Sequence, residues 1–222
     1  MTDMSTDEFE ILDALIIDYA NGALSKPLEV LMETHMAMNP KSARAFRMMM
    51  QVGGVLLEDS EPVSMSEGSW EKVLAEIDAQ ETLTEPAGND NDRDQSLLLP
   101  RPIADYIPAL NCPDSWKRLS RGLSEYEIDF GTTVGKASIY RIEPGVAVPS
   151  HSHEGSEVTL VLAGGFSDVT GNFGPGDIAV QQNGAVHKPV ADDDGECIVF
   201  AVNEGSIKLT GPIGMVLNLL AK

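Results

Sequence analysis

Hydrophobic positions in the first eighty residues recur at three- and four-residue steps. Phe9, Leu12, Leu15, Ile16 and Tyr19 share one face of a helix, and Gly22 is its stop. A second helix opens at Ser25, with Pro27 in its first turn, and carries Leu28, Leu31 and Met32 to His35. Asn39-Pro40 reads as an N-cap followed by proline at the first helical position, starting a third helix toward Leu57. A fourth is expected behind a capping box, Ser64 with Glu67, ahead of Trp70, Val73, Leu74 and Ile77. Four short helices of this kind make a small bundle over residues 1–85.

The periodicity then dissolves. The stretch 85–92 is polar, turn-rich and without repeat, so residues 86–99 read as a linker. Beyond it the chain changes class. Alternating, β-branched runs at 137–142, 158–162, 178–180 and 198–202, separated by Gly, Pro, Asn and Asp, predict an all-β sandwich or barrel over residues 100–222.

Charge sharpens this division. The chain carries a formal net charge of −20 over 222 residues. Residues 1–100 hold 20 Asp and Glu against 6 Lys and Arg; the rest hold 15 against 9. Such an acidic chain is not expected to bind nucleic acid or an anionic membrane directly; a basic protein partner suits it better. With only Cys112 and Cys197, no apolar signal core and no run long enough to span a bilayer, the expected location is the cytoplasm.

Candidate chemistry sits in the β half. His151 and His153 are two apart, so an extended strand points both imidazoles to one face. Glu157 opens the next strand, and the turn Gly174-Pro175-Gly176-Asp177 precedes a strand leading to His187. Three imidazoles and a carboxylate form a ligand set suited to zinc, iron, manganese or nickel. The order Gly145, His151-x-His153, Glu157, Gly164 matches the first cupin motif, and Gly174 to Asp177 with His187 resembles the second. The β half therefore resembles a cupin, the double-stranded β-helix or jelly-roll barrel.

Helices carrying His35, followed by this barrel, resemble the ChrR-type anti-sigma factors along nearly the whole chain. The segments from Asp13 to Gly22, Thr34-His35, Gly53-Gly54 and 64–80 carry the likeness in the helical half. The resemblance implies a helical domain that grips a sigma factor of the extracytoplasmic-function type. It also implies a zinc-holding barrel that senses a stress such as singlet oxygen and sets release. In the family, a first-helix histidine and a His-x-x-x-Cys-x-x-Cys segment hold a further zinc. Here His35 is kept, but Glu10, Asn39 and Ser42 stand at the other three positions, and without a thiolate no metal is expected there. His35 is then expected as a helix-end residue. The methionines at 32, 36, 38, 48, 49 and 50, with Leu56, read equally as core and as a partner surface. The alternatives are a metal-dependent cupin enzyme, such as a small-molecule dioxygenase with a helical appendage, and a homo-oligomer joined through both halves. Cys197, ten residues past His187, is a candidate thiol for approaching the metal.

Overall fold

A computed structural model describes residues 6–81, 99–107, 115–132 and 135–210. The linker expected at 86–99 and Cys112 lie almost wholly or wholly outside the described residues. The chain divides into two compact units, Met1–Met50 with Leu99–Lys222, and Gln51–Leu98.

The first unit begins with α1 (Thr6–Ala20), α2 (Lys26–Met38) and the start of α3 (Pro40–Glu58). Asn39 caps α3 as its sequence demands: the Asn39 side-chain oxygen accepts from the backbone N–H of Lys41 at 3.1 Å and of Ser42 at 3.3 Å. Ser25 precedes α2 with extended backbone but makes no side-chain cap bond. A short helix, α5 (Arg101–Ala104), leads into the β region.

Twelve strands follow among the described residues. β1 (Lys117–Ser120), β2 (Leu123–Ile128), β3 (Lys136–Ile142), β5 (Glu157–Ala163), β8 (Ile178–Gln181) and β11 (Cys197–Asn203) form an antiparallel sheet in the order β1-β2-β3-β11-β5-β8. β4 (His151–His153), β9 (Val186–His187) and β12 (Ile207–Leu209) make a second sheet, with β4 in the middle. β6 (Phe166–Ser167), β7 (Asn172–Phe173) and β10 (Val190–Ala191) make a third.

Every residue of β11 is buried, as are the first six of β5. Alternate residues such as Val199 and Ala201 line the interior, which leaves Ile198, Phe200 and Val202 on the other face. Helix α2 packs against β11 and β5, and α1 against β8. Val30, Leu31 and Met32 of α2 are accordingly sealed from solvent. A strand covered on both sides reads as a continuous apolar run, which is why these two were legible. The sequence did not disclose that α1 and α2 cover the sheet. Their apolar faces are completed by strands more than a hundred residues away.

The second unit holds the remainder of α3 and α4 (Ser69–Glu81). The capping box expected at Ser64 and Glu67 is not used. α4 starts at Ser69, whose hydroxyl hydrogen-bonds that of Ser66 at 2.6 Å while its backbone N–H donates to the Ser66 carbonyl at 3.1 Å. On these helices the apolar side chains face outward: Leu56 is 67% exposed, Leu57 75% and Trp70 61%.

Candidate metal centre

The strands bring the four sequence-predicted donors together. His151 and His187 are direct partners across β4 and β9, His153 lies two residues along on the same face of β4, and Glu157 begins β5. All four are buried, with one donor atom from each within 4.8 Å of the others. Gly164 closes β5 at φ +65°, where a Cβ would stand 2.3 Å from the Glu196 carbonyl oxygen. Only glycine fits there.

Hydrogen bonds fix the tautomers. A carbonyl oxygen can only accept, so His151 donates its Nδ1 proton to Pro149 at 2.8 Å. His187 donates from Nδ1 to the Asp168 carboxylate at 3.2 Å. Both Nε2 atoms are left as lone pairs, yet they lie 2.9 Å apart, and the Nε2 of His153 is 3.2 Å from that of His187. The Glu157 carboxylate is 3.2 Å from His153 Nε2. Converging lone pairs and a carboxylate repel one another unless a cation lies among them. The donor set thus fits a metal ion on its own chemistry.

The electrostatics agree. Burial is the largest influence on His151 and lowers its pKa, keeping the ring neutral as a ligand requires. Burial pushes Glu157 upward, but the adjoining His153 and the other surrounding imidazoles bring it below its ordinary value. Asp168 is likewise raised by burial and brought down further by the bonds from His187 and Thr170.

Asp168 is the site residue that the sequence reading missed. It lies between β6 and β7, where its Oδ1 accepts from the Thr170 backbone at 2.8 Å and hydroxyl at 2.6 Å, while Oδ2 faces His187 and the Gln181 amide. Asp168-x-Thr170-Gly171 reads only as a turn, and nothing in its spacing links it to the motifs.

His35 sits in the last turn of α2, the helix-end place expected of it, but it is buried there and joins two distant segments. Its Nδ1 donates to the Gly176 carbonyl at 2.9 Å, and Ser42 donates its hydroxyl to Nε2 at 2.8 Å. Burial lowers its pKa, so the ring is neutral, and both nitrogens are engaged in hydrogen bonds. The Glu10 side chain lies outside the described residues.

Cys197 does not approach the donors. It opens β11 at the end opposite Asn203, which pairs with Glu157, so roughly 20 Å of strand separates them. Burial, with Asp192 and Glu196 nearby, pushes its thiol up to about 12. A protonated, buried thiol is a poor nucleophile. In a Cys112→Ser variant, labelling of Cys197 by an aromatic disulfide reagent is expected to be at least roughly a hundredfold slower in the native chain than in denaturant. Equal rates would show that this thiol is accessible.

The comparisons with known proteins cover both halves. The family described as the ChrR cupin-like domain matches residues 114–207. The anti-sigma-E factor ChrR of Cereibacter sphaeroides is 34% identical over 203 residues, 91% of this chain and 92% of that protein. A chain in the crystal structure of Rhodobacter sphaeroides SigE in complex with the anti-sigma ChrR is 34% identical, with 86% of this chain and 96% of that chain covered and a TM-score of 0.68.

Proposed function

The chain belongs to the ChrR family, and on that premise we propose that it is an anti-sigma factor whose helical segment, residues 1–85, holds a sigma factor of the extracytoplasmic-function type. In this reading the barrel binds a metal ion through His151, His153, Glu157 and His187 and governs release. The observation that carries the partner is the outward apolar face of α3. Met48, Val52, Val55 and Leu56 form one helical stripe and are all exposed. A soluble chain keeps such a stripe for a partner. Excess acid in residues 1–100 would speed encounter with a basic protein.

Zinc is the ion that four nitrogen and oxygen donors favour, with iron, manganese or nickel compatible with the same set. When bound, the ion would tie β4, β5 and β9 to one point. Asp168 would hold the His187 ring so that Nε2 faces inward. Glu157 pairs with Gln181 at the end of β8, and β8 continues from the turn whose Gly176 carbonyl receives the His35 proton. Donors and α2 are thereby joined through one strand. Among the described residues no helix is long and apolar enough to cross a membrane, and a sigma-factor partner would place the chain in the cytoplasm.

Co-expression of the full chain with each extracytoplasmic-function sigma factor of its source genome, followed by size-exclusion chromatography, tests the reading. One sigma factor is expected to co-elute with the chain in equal amounts. No co-elution across the whole set would refute it.

A further inference from the structure

Beside the four donors the barrel encloses a cavity of about 330 Å³, within the size range of small-molecule sites. We propose that it binds a small, uncharged, predominantly apolar molecule, independently of what the helices hold. The inward rows of the strands form its wall: Tyr140 and Ile142 on β3, Thr159 on β5, Ala179 on β8, Val199 and Ala201 on β11. The two alanines and the threonine stand where a filled barrel would carry larger side chains, which leaves the volume open. Leu119, 43% exposed, stands at the rim.

The wall also defines what fits. Among the described residues no lysine or arginine lines the cavity, so an anionic ligand meets no cationic side chain on its wall. The carboxylates that line it, Glu157 and Asp168, would oppose an anion, and a divalent cation among the donors would balance them. Part of the wall's hydrogen-bonding capacity is spent within the protein, with the Ser120 and Thr159 hydroxyls left to face the cavity. Tyr140 donates its hydroxyl to Glu125 at 3.2 Å, and Gln181 donates to Asp168 at 3.2 Å. A sugar or other polyol would lose more hydration than these two hydroxyls could replace.

The test uses the full, metal-loaded chain and N-phenyl-1-naphthylamine, a neutral dye that brightens in apolar surroundings. Saturable binding of roughly one dye per chain is expected, with 1-octanol displacing it at concentrations at least roughly tenfold below those needed for octanoate. Ala201→Phe and Ala179→Phe fill the cavity from different strands, and each should weaken dye binding roughly tenfold or more. If one of them does not fold, as judged by circular dichroism, the other carries the test. Leu56→Asp on the exposed helical stripe should leave dye binding unchanged. The proposal is overturned by any of three results: no saturable binding, equal displacement by octanoate, or dye binding that survives cavity filling but is lost in Leu56→Asp.

Discussion

Replacing His187 with alanine is expected to strip the barrel of metal. The wild-type chain, purified without chelator, should carry roughly one transition-metal ion, and the variant less than about a tenth of that. The reason lies in the position of His187. It faces His151 across β4 and β9, its Nε2 is within 3.7 Å of the donor atoms of His151, His153 and Glu157, and its Nδ1 proton is held by Asp168. Its loss removes one donor and also leaves the buried Asp168 carboxylate without that proton. Asp168→Asn keeps all four donors but weakens the hold on the His187 tautomer, so metal affinity should fall by about 10–100-fold rather than vanish. An ion that binds only the folded chain stabilises it by about 4 kcal/mol at a thousandfold excess over its dissociation constant, so His187→Ala should also melt earlier. Elemental analysis alongside thermal melting reads both effects. A metal-free wild type, or a His187→Ala variant with full metal content, would remove the metal from the account.

The second large effect is expected at His35. His35→Ala removes a buried ring and leaves the Gly176 carbonyl and the Ser42 hydroxyl without their partners, at a cost of about 3 kcal/mol or more. Ser42→Ala, which deletes only one bond, should cost about 1 kcal/mol. Urea denaturation of the full chain measures both, and near-equal values would show that the ring does not join the segments. The pH dependence has a definite sign. Burial holds the folded pKa below the ordinary histidine value of 6.5, against the opposing pull of the Gly176 bond and the Asp177 charge. As pH falls below that value the unfolded chain takes up the proton first, so the stability due to a neutral His35 is intact above it and is lost progressively toward the lower folded pKa. His35→Gln can retain both hydrogen bonds without titrating. The loss of stability between about pH 7.5 and about pH 5.5 should therefore be smaller in His35→Gln than in wild type, with the other histidines common to both. Equal losses would contradict a neutral, buried His35.

These two sites differ in how far the sequence reveals them. His151, His153, Glu157 and His187 are legible because a strand's two-residue period and two glycine-bounded turns restrict their spacing severely. Asp168 is not, because its turn signature is shared by any Asp-x-Thr-Gly segment. His35 shows only a helical residue in sequence, since its partner is a backbone carbonyl 141 positions away. Among the strands, β5 and β11 announce themselves as apolar runs, whereas β2 does not. Glu125 occupies an inward position of β2 and is satisfied there by Lys136, Ser138 and Tyr140, so the buried face of a half-buried strand reads as polar. The methionines divide in a way composition could not show: Met32, on α2, is fully buried, while Met48, Met49 and Met50 face solvent.

The claim that the exposed helical stripe holds a sigma factor is tested most directly by titrating calorimetrically the co-eluting sigma factor into wild type and into Leu56→Asp. Leu56 is exposed in the free chain, so the substitution should change folding stability by no more than about 0.5 kcal/mol. Placing a charge within an apolar docking face should cost about 3 kcal/mol of binding, roughly a hundredfold in affinity, with metal content unchanged. An affinity equal to that of wild type would contradict the account.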